Sequence, residues 1–573
     1  MNTLVIVLIA VVVLGAGYVF YGRHLAKKWG IDPKAETPAV KYNDGKDYVP
    51  TNGWTVFSHQ FSSIAGAGPV TGAIQAAVFG WLPVLLWILI GGVFFGAVTD
   101  FGALYASVKN QGKSMGMLIE KYIGKTGRKL FLLFCWLFSL LIIAVFADMV
   151  SGTFNAYDDV TGKLAANASV NGSAGMVSIM FMVFAVIFGL IQKKFNFSGW
   201  KEAVLGIVFI VASFAVGMQF PLEFSKTTWS YVVFVYIFFA AILPIWLMKQ
   251  PRDYMTTIMF VCMIVGAALG LVIGHPTMNL PVFTGFKNEQ LGTMFPILFV
   301  TVACGAVSGF HSLVSSGTSS KTIANEKDML KVGYGAMILE SVLAVLALCV
   351  AGAAAKNGIP AEGTPFQIFS SGVAGFFEKM GLSVHLSTVF MTMCVSALAL
   401  TTLDAVARIG RMCFQEFFSV DDMKHAKPWR KVVCNTYFST IVTLLCGFVL
   451  TKIGYQTIWP LFGSANQLLS ALVLITLCVF LKVTGRSNKM LFPPMIIMLC
   501  VTFTALVQRV IGLVKSLAAG TDIFASVIQL VVAVLLIVLA VIIAINSLKS
   551  YVHSKKNSEV EEKTEAVEEV KGC

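Results

Sequence analysis

The sequence predicts an all-α, polytopic membrane protein. The chain has 573 residues, of which 57% are hydrophobic and 12% are charged, and its mean hydropathy is +0.81. Soluble domains carry about 25% charged residues, so this composition indicates a chain embedded in lipid. In addition, small polar residues interrupt two hydrophobic stretches, 57–79 and 294–318. Inside a membrane, non-helical backbone is tolerated only where it lines a cavity or is buried in protein.

Apolar stretches of spanning length recur along the whole chain. A spanning helix needs about 20 mostly apolar residues, so we expect about 15 transmembrane helices. The predicted spans are 3–22, 57–79, 81–105, 130–154, 176–190, 203–220, 231–248, 256–273, 294–314, 332–355, 386–407, 432–450, 458–481, 490–514 and 523–548.

These spans form one predicted transmembrane domain, 1–548, followed by an acidic, disordered cytoplasmic tail, 549–573. A peripheral helix, 1–22, precedes two halves, 54–273 and 292–548, and each half opens with an interrupted helix. An odd number of spans per half inverts one half relative to the other. This pattern predicts inverted repeats with two discontinuous helices, as in transporters that bind substrate near the midplane. Seven-plus-seven and five-plus-five repeats both agree with it.

The net charge of +13 would suggest nucleic-acid binding in a soluble protein, but here it follows the positive-inside rule. If the N-terminus lies outside, most of the 42 Lys and Arg residues fall on the inner side. We therefore expect an outside N-terminus, a cytoplasmic C-terminus and the lipid bilayer as the surroundings. No nucleic-acid partner is expected.

The first interrupted stretch contains Gly66, Gly68 and Pro69, which together cannot sustain a regular helix. Half-helix ends present partial charges to a ligand, so we expect these residues at a substrate site. Four polar candidates for substrate binding precede the break: His59, Gln60, Ser62 and Ser63. The alternative is a proline kink with packing glycines.

The second interrupted stretch offers Gly305, Ser308, His311 and Ser312 as substrate-binding candidates. A simple helix with its serines on one hydrogen-bonded face is the alternative. His311 and His59 are also candidate proton carriers, because histidine titrates near physiological pH. Each histidine could instead donate a hydrogen bond between helices.

Ionisable residues at membrane depth are costly and are functional by default. Asp100 and Asp404 are therefore candidate ion-coupling residues, with Arg408 one helical turn beyond Asp404. The alternatives are a helix-end partner for a loop cation at Asp100 and a structural Asp404–Arg408 ion pair. Thr401 and Thr402 are candidate cation ligands or capping hydroxyls.

Three further polar residues lie within predicted spans. Asn466 either faces the permeation path, as a substrate-binding residue, or bonds a neighbouring helix. Glu340 lies inside its span, whereas Asp148 lies near the outer end of its own, where it can reach water.

Several function classes lack support in the sequence. No HExxH, phosphate-loop, GxSxG or dinucleotide-binding motif has a credible context, so we expect neither an enzyme nor a cofactor. Without an ATP-binding domain, active transport must use an ion gradient. Most cysteines lie in apolar spans and none forms a CxxC pair, which predicts no disulfide and no metal site. A passive channel would need a filter motif or charged rings, and none is visible.

Five ordered motifs resemble the carbon starvation protein A (CstA) family of bacterial transporters. They are FSHQFSSIAGAGPVTG (57–72), GAVTDFGALYAS (96–107), CGAVSGFHSLVSSGTSSK (304–321), TTLDAVARIGR (401–411) and WPLFGSANQLLSAL (459–472). The family is similar to the amino acid–polyamine–cation superfamily, whose LeuT-like fold breaks the first helix of each inverted repeat.

The resemblance implies proton-driven import of small peptides, or of a short carboxylate such as pyruvate, across the bacterial cytoplasmic membrane. Sodium coupling and passive facilitation are the alternatives, and the oligomeric state is left open. The motifs carry the family's functional positions onto His59, Gly66, Gly68, Pro69, Asp100, His311, Ser312, Thr402, Asp404 and Asn466.

Overall fold

The computed structural model describes residues 2–44, 48–158, 161–195, 200–243, 247–289, 291–420 and 427–553. These residues fold almost entirely into α-helices. The first thirteen are α1 (Thr3–Ala16), α2 (Arg23–Trp29), α3 (Pro38–Lys41), α4 (Gly53–Ile64), α5 (Gly68–Ala76), α6 (Trp81–Gly91), α7 (Ala97–Lys109), α8 (Met115–Ile123), α9 (Lys125–Thr153), α10 (Ala168–Phe195), α11 (Trp200–Gln219), α12 (Lys226–Ile242) and α13 (Lys249–Gly274).

A short antiparallel hairpin, β1 (Lys287–Asn288) and β2 (Gly292–Thr293), separates these helices from the rest. The remaining helices are α14 (Met294–Thr301), α15 (Gly309–Gly317), α16 (Ala336–Ala354), α17 (Pro365–Lys379), α18 (Val384–Phe418), α19 (Pro428–Val433), α20 (Thr436–Thr451), α21 (Tyr455–Val483), α22 (Phe492–Ala518) and α23 (Ile523–His553).

The helices make this a multi-pass membrane protein. Within the described ranges, 11 helices are long and apolar enough to cross a membrane, and three shorter apolar helices accompany them. Every predicted span overlaps at least one described helix, but the number of crossings stays a prediction. Helix α23 continues to His553, past the predicted start of the tail, and the tail beyond it lies outside the described residues.

Both predicted helix breaks are present. Helix α4 ends at Ile64 and α5 begins at Gly68, with Pro69 in the first turn, where a missing N–H costs little. Helix α14 ends at Thr301 and α15 begins at Gly309. Each broken helix therefore has a short irregular segment in its middle, 65–67 in the first and 302–308 in the second.

Helices α9, α18 and α21 form the centre of the bundle, whereas α11 lies at its edge. Small residues permit this close packing. A Cβ added to Gly410 of α18 would lie 2.9 Å from the Ser139 Cβ of α9. One added to Gly447 of α20 would lie 2.7 Å from Ile143 Cγ2.

The two broken helices pack reciprocally. Helix α5 packs on α16, which follows the second broken helix, and α15 packs on α7, which follows the first. Each half of the chain thus holds the other half's broken helix. This packing agrees with an inverted repeat, which stays a prediction.

Helix α17 was not predicted. Its 15 residues are too few to span a membrane. A capping box starts it, in which the Thr364 side chain accepts from Gln367 N and the Gln367 side chain accepts from Thr364 N. One face, which includes Phe369 and Val373, is buried. The T-P-x-Q sequence was a visible signal for this helix.

Candidate functional site

The two helix breaks touch each other. A Cβ added to Gly68 would lie 2.4 Å from Cys304 Sγ, in the second break. A Cβ added to Gly305 would lie 3.7 Å from Pro69 Cα, in the first broken helix. Glycine is needed at position 68 because any side chain would overlap the facing segment. Three predicted site residues, Gly68, Pro69 and Gly305, are therefore brought together.

Helix α18 closes the first break from another side. A Cβ on Gly66 would lie 2.5 Å from Thr402 Oγ1. The Thr402 hydroxyl donates to Leu398 O within its own helix at 3.1 Å. Thr402 therefore faces the irregular backbone of the first broken helix, and its predicted role as a cation ligand or a capping hydroxyl stays a prediction.

Side chains satisfy the carbonyl groups that become free where α14 ends. Trp87 Nε1 donates to the carbonyls of Phe299 and Val302, at 3.2 Å each. Trp459 Nε1 donates to Thr301 O at 3.2 Å. An unpaired backbone group would be costly at this depth, so these two indoles stabilise the non-helical backbone of the break.

Asn466 of α21 anchors the start of α15. Its Oδ1 accepts from Phe310 N at 3.1 Å and from Ser308 Oγ at 3.2 Å. A Cβ on Gly309 would lie 2.5 Å from Asn466 O, so α15 begins in direct contact with α21. The structure thus places Asn466 in the alternative predicted for it, a bond to a neighbouring helix.

Three ionisable side chains form a buried cluster beside the second break. His311 Nδ1 lies 3.0 Å from Asp100 Oδ2, and His311 Nε2 lies 3.3 Å from Glu340 Oε2. All three side chains are at most 1% exposed. The cluster joins α15 to α7 and α16. Asp100 is therefore paired with a histidine inside the bundle, and its predicted alternative, a loop cation, is wrong.

The charges of this cluster do not balance when all three groups are ionised. Two carboxylates then face one imidazolium, which leaves a buried negative charge. Among the described residues, Asp100 Oδ1 and both carboxylate oxygens of Glu340 have no hydrogen-bond partner. An uncompensated buried charge is strongly unfavourable. Binding one more proton balances the cluster.

Asp404 belongs to a second buried cluster. Its Oδ2 accepts from Tyr236 OH at 2.7 Å and from Arg252 Nη1. Arg252 Nη2 also donates to Thr401 Oγ1 at 2.6 Å. Arg252 and Asp404 are at most 2% exposed. This cluster ties α12 and α13 to α18, and Thr401 holds the guanidinium rather than a free cation.

Arg408 does not take the position predicted in the alternative ion pair. Its Nη2 donates to Ala240 O at 2.8 Å and to Leu243 O at 3.0 Å, at the end of α12. Asp404 pairs with Arg252 instead. Arg408 and Asp404 therefore do not pair within α18. Each instead bonds a residue of another helix.

The polar residues that precede the first break take different positions. Gln60 Nε2 donates to Ser315 Oγ at 2.8 Å, which ties α4 to α15. Ser62 and Ser63 are buried close to the break. His59 is half-buried on α4, outside the His311 cluster, and its carbonyl accepts from Ser62 Oγ at 3.2 Å.

Ser312 follows His311 on α15. Its hydroxyl donates to Gly309 O at 2.8 Å, and its carbonyl accepts from Ser316 Oγ at 2.7 Å. Ser312 therefore bonds only along its own helix, whereas Ser308 bonds Asn466 and Ser315 accepts from Gln60. The alternative of one simple helix through this stretch is wrong, because the helix is broken before Gly309.

Sequence reasoning missed Tyr236 and Arg252 as site residues. Arg252 lies between the predicted spans 231–248 and 256–273, whereas α13 begins at Lys249 and includes it. Glu340 was noted only as lying within a span. A buried carboxylate in a span is the signal that could have joined it to His311.

Comparison with known proteins identifies the family of this chain. The family model "Carbon starvation protein CstA" matches residues 2–359 and 349–505. The chain is 31% identical to the pyruvate/proton symporter BtsT of Escherichia coli (strain K12), covering 88% of this chain and 81% of that protein. It is 30% identical to the peptide transporter CstA of Bacillus subtilis (strain 168), covering 86% and 87%.

Among solved structures, a manganese transporter of Eremococcus coleocola aligns with a TM-score of 0.48 at 11% identity, covering 90% of this chain and 99% of that one. The family model and the curated relatives both extend over most of the sequence. The chain therefore belongs to the carbon starvation protein CstA family of membrane transporters.

Proposed function

We propose that this protein is a secondary active transporter that imports small peptides, or a short carboxylate such as pyruvate, by proton symport. The relatives support both substrate classes, because some are named peptide transporters and one a pyruvate/proton symporter. The touching helix breaks support a binding site near the middle of the bundle, as in other transporters with discontinuous helices.

The His311 cluster is the observation that carries proton coupling. A bound proton changes the net charge of this cluster. It therefore changes the free-energy cost of burying Asp100 and Glu340. Since the cluster joins α15 to α7 and α16, this change acts on the contact between the two halves. We expect protonation and substrate binding together to favour the state that moves both inward.

The starts of α5 and α15 support a carboxylate as the bound group. Both begin at a break. The start of α5 has no side-chain cap, whereas Asn466 Oδ1 already accepts from Phe310 N at the start of α15. Helix starts carry partial positive charge that favours anions. A carboxylate is shared by pyruvate and by the C-terminus of a peptide, so the site chemistry agrees with either substrate.

Substrate-driven proton entry into proteoliposomes tests the proposal. The vesicles enclose a pH dye, and pyruvate, a dipeptide or a tripeptide is added outside in sodium or in choline medium. We expect internal acidification with one substrate class, unchanged when choline replaces sodium. Acidification that requires sodium, or uptake that never exceeds the external concentration, would refute proton symport in favour of sodium coupling or passive facilitation.

A further inference from the structure

A polar cavity of about 690 Å³ opens at one end of the bundle. Its wall includes the end of α9 and the first residues of α10, α12, α17 and α21. Thr3 at the start of α1 contacts Pro276 and Cys349 at this same end. In the predicted orientation the cavity faces outside. Its volume is in the range of small-molecule sites.

An ion pair forms part of the cavity wall. Lys226 Nζ lies 2.9 Å from Asp148 Oδ1, and Asp148 Oδ2 accepts from Tyr455 N at 2.9 Å. The Lys226 side chain is 37% exposed, whereas that of Asp148 is 8% exposed. The ammonium group is therefore reachable from the cavity, while the carboxylate is held in place by the backbone of α21.

The surrounding backbone favours anions. Four helices begin in this wall and one, α9, ends in it, so partial positive charges of helix starts outnumber the partial negative charge of a helix end. Asp148 already places one carboxylate at the start of α21. The other acidic residue in the wall, Asp158, is exposed and accepts from Thr161 N at 2.7 Å. Lys226 supplies the only side-chain positive charge that is described in this wall.

The cavity is distinct from the helix breaks but connected to them. Tyr455 and Asn466 are 11 residues apart on α21, which corresponds to about 16 Å along a helix. Between them, Trp459 caps the carbonyl of Thr301. A ligand beside Tyr455 would therefore lie about 16 Å along α21 from Asn466, which contacts the second break.

We propose that this cavity is a recruitment site, in which Lys226 binds the carboxylate of the incoming substrate in exchange for Asp148. The inference rests on the proposed function. In this proposal Lys226 makes the first contact with the substrate, through a carboxylate. That carboxylate is present in pyruvate and at the C-terminus of a short peptide. Because the site lies at the entrance, it sets the apparent affinity for the substrate rather than the maximal transport rate.

Calorimetric titration of the purified protein in detergent tests the site without any gradient. The ligands are pyruvate, dialanine and dialanine amide. We expect Lys226→Gln to weaken binding of the carboxylate ligand about tenfold, the loss typical of one hydrogen bond to a charged group. Lys226→Arg should restore most of it. Lys452→Gln, an exposed lysine outside the cavity wall, is the matched control.

Asp148→Asn gives a prediction of opposite sign. The amide oxygen still accepts from Tyr455 N, but Lys226 loses its competing carboxylate. We therefore expect binding to tighten about threefold, the size of a partly exposed ion pair. A merely structural role for the pair would weaken binding in both variants, and that result would overturn the proposal.

The three ligands identify the source of the carboxylate. Pyruvate binding that depends on Lys226 assigns the site to short carboxylates. Binding of dialanine, but not of its amide, assigns it to peptide C-termini. Equal affinity for the acid and the amide, unchanged in Lys226→Gln, contradicts the site.

The proposed function and this site fail separately. Lys226-dependent binding in a protein that moves no protons would refute proton symport and leave the site standing. Proton-coupled uptake with an unchanged KM in Lys226→Gln would overturn the site alone.

Discussion

The two buried charge clusters differ in their balance. Arg252 and Asp404 compensate each other, and Tyr236 and Thr401 supply further hydrogen bonds. The His311 cluster has one more acid than base. Buried charges persist when they are paired and hydrogen-bonded. The first cluster thus suits a structural tie between helices, and the second suits a group that gains and loses a proton.

The Arg252–Asp404 tie gives a stability prediction. We expect Arg252→Met to lower the free energy of unfolding by about 3–5 kcal/mol, because it leaves the Asp404 carboxylate buried without its cation. Adding Asp404→Leu should recover most of that loss, since neither charge then remains. Unfolding by SDS, followed by intrinsic fluorescence, measures both variants.

The partly exposed pair of Lys331 and Asp328, 3.0 Å apart, provides the control for this prediction. Lys331→Met should cost less than about 1 kcal/mol, as partly exposed pairs do. A loss no larger than this in Arg252→Met would contradict the account of the tie. A double variant less stable than the single one would do so as well.

Residue identities were easier to predict than residue partners. Asp100, His311 and Asp404 stood out because each is an ionisable group in an apolar segment. Their pairing joins residues more than 150 positions apart, since Asp100 meets His311 across 211 positions and Arg252 meets Asp404 across 152. Local pattern contains no information about such pairs, and only folding brings them together.

At the scale of elements, glycine determines how closely the broken helices approach their neighbours. A Cβ added to Gly305 would lie 2.6 Å from the Ala344 Cβ of α16. Neither carbon can move aside without a backbone shift, because neither belongs to a flexible side chain. The second break therefore packs against α16 only if the two facing residues, Gly305 and Ala344, are both small.

This contact predicts a loss that a second substitution repairs. We expect Gly305→Ala to reduce uptake at least about tenfold, because the overlap pushes the break away from α16. Adding Ala344→Gly removes the facing carbon and should restore most of the uptake, at a cost of about 0.5–1 kcal/mol for glycine inside a helix. Initial uptake rates in proteoliposomes measure both variants.

Gly317 serves as the control because a Cβ added there meets nothing within 4 Å. Gly317→Ala, at the end of the neighbouring helix α15, should leave uptake within about twofold of the unmodified protein. Uptake by Gly305→Ala equal to that of Gly317→Ala would show that the close contact with α16 is not needed.

Element boundaries followed from composition where it was extreme. The Gly66–Pro69 segment and the run of small polar residues after Thr301 correctly predicted both breaks. Helix α17 was missed because its 15 amphipathic residues are too short and too polar to be predicted as a transmembrane span. The start of α13 was placed late because its first turn is polar.

At the scale of the whole molecule, the proposed proton and substrate sites lie where the two halves meet. Helices α5 and α15 each pack on the opposite half, and the His311 cluster bridges that contact. The cavity with Lys226 lies about 16 Å from Asn466 along α21. In the proposed mechanism, a substrate passes from Lys226 to the breaks, where the charge state of the cluster determines whether the halves rearrange.

The sequence predicted a bundle of this kind but not its geometry. Length and apolarity identified the helical segments, and basic residues suggested an orientation that stays a prediction. The inverted repeat and the LeuT-like core also stay predictions, although the reciprocal packing of α5 and α15 agrees with them. Which helices touch depends on side-chain fit over the whole bundle, and no single segment encodes that.

The most direct test of the central claim compares two transport modes in Asp100→Asn. The amide keeps the size of the side chain but cannot exchange the coupling proton. We predict that this variant still exchanges labelled substrate across the membrane without a gradient, but no longer accumulates it when a proton gradient is applied. Asp522→Asn, at an exposed turn whose φ of 43° asparagine tolerates, should do both. Normal gradient-driven accumulation by Asp100→Asn would contradict the assignment of proton coupling to the His311 cluster.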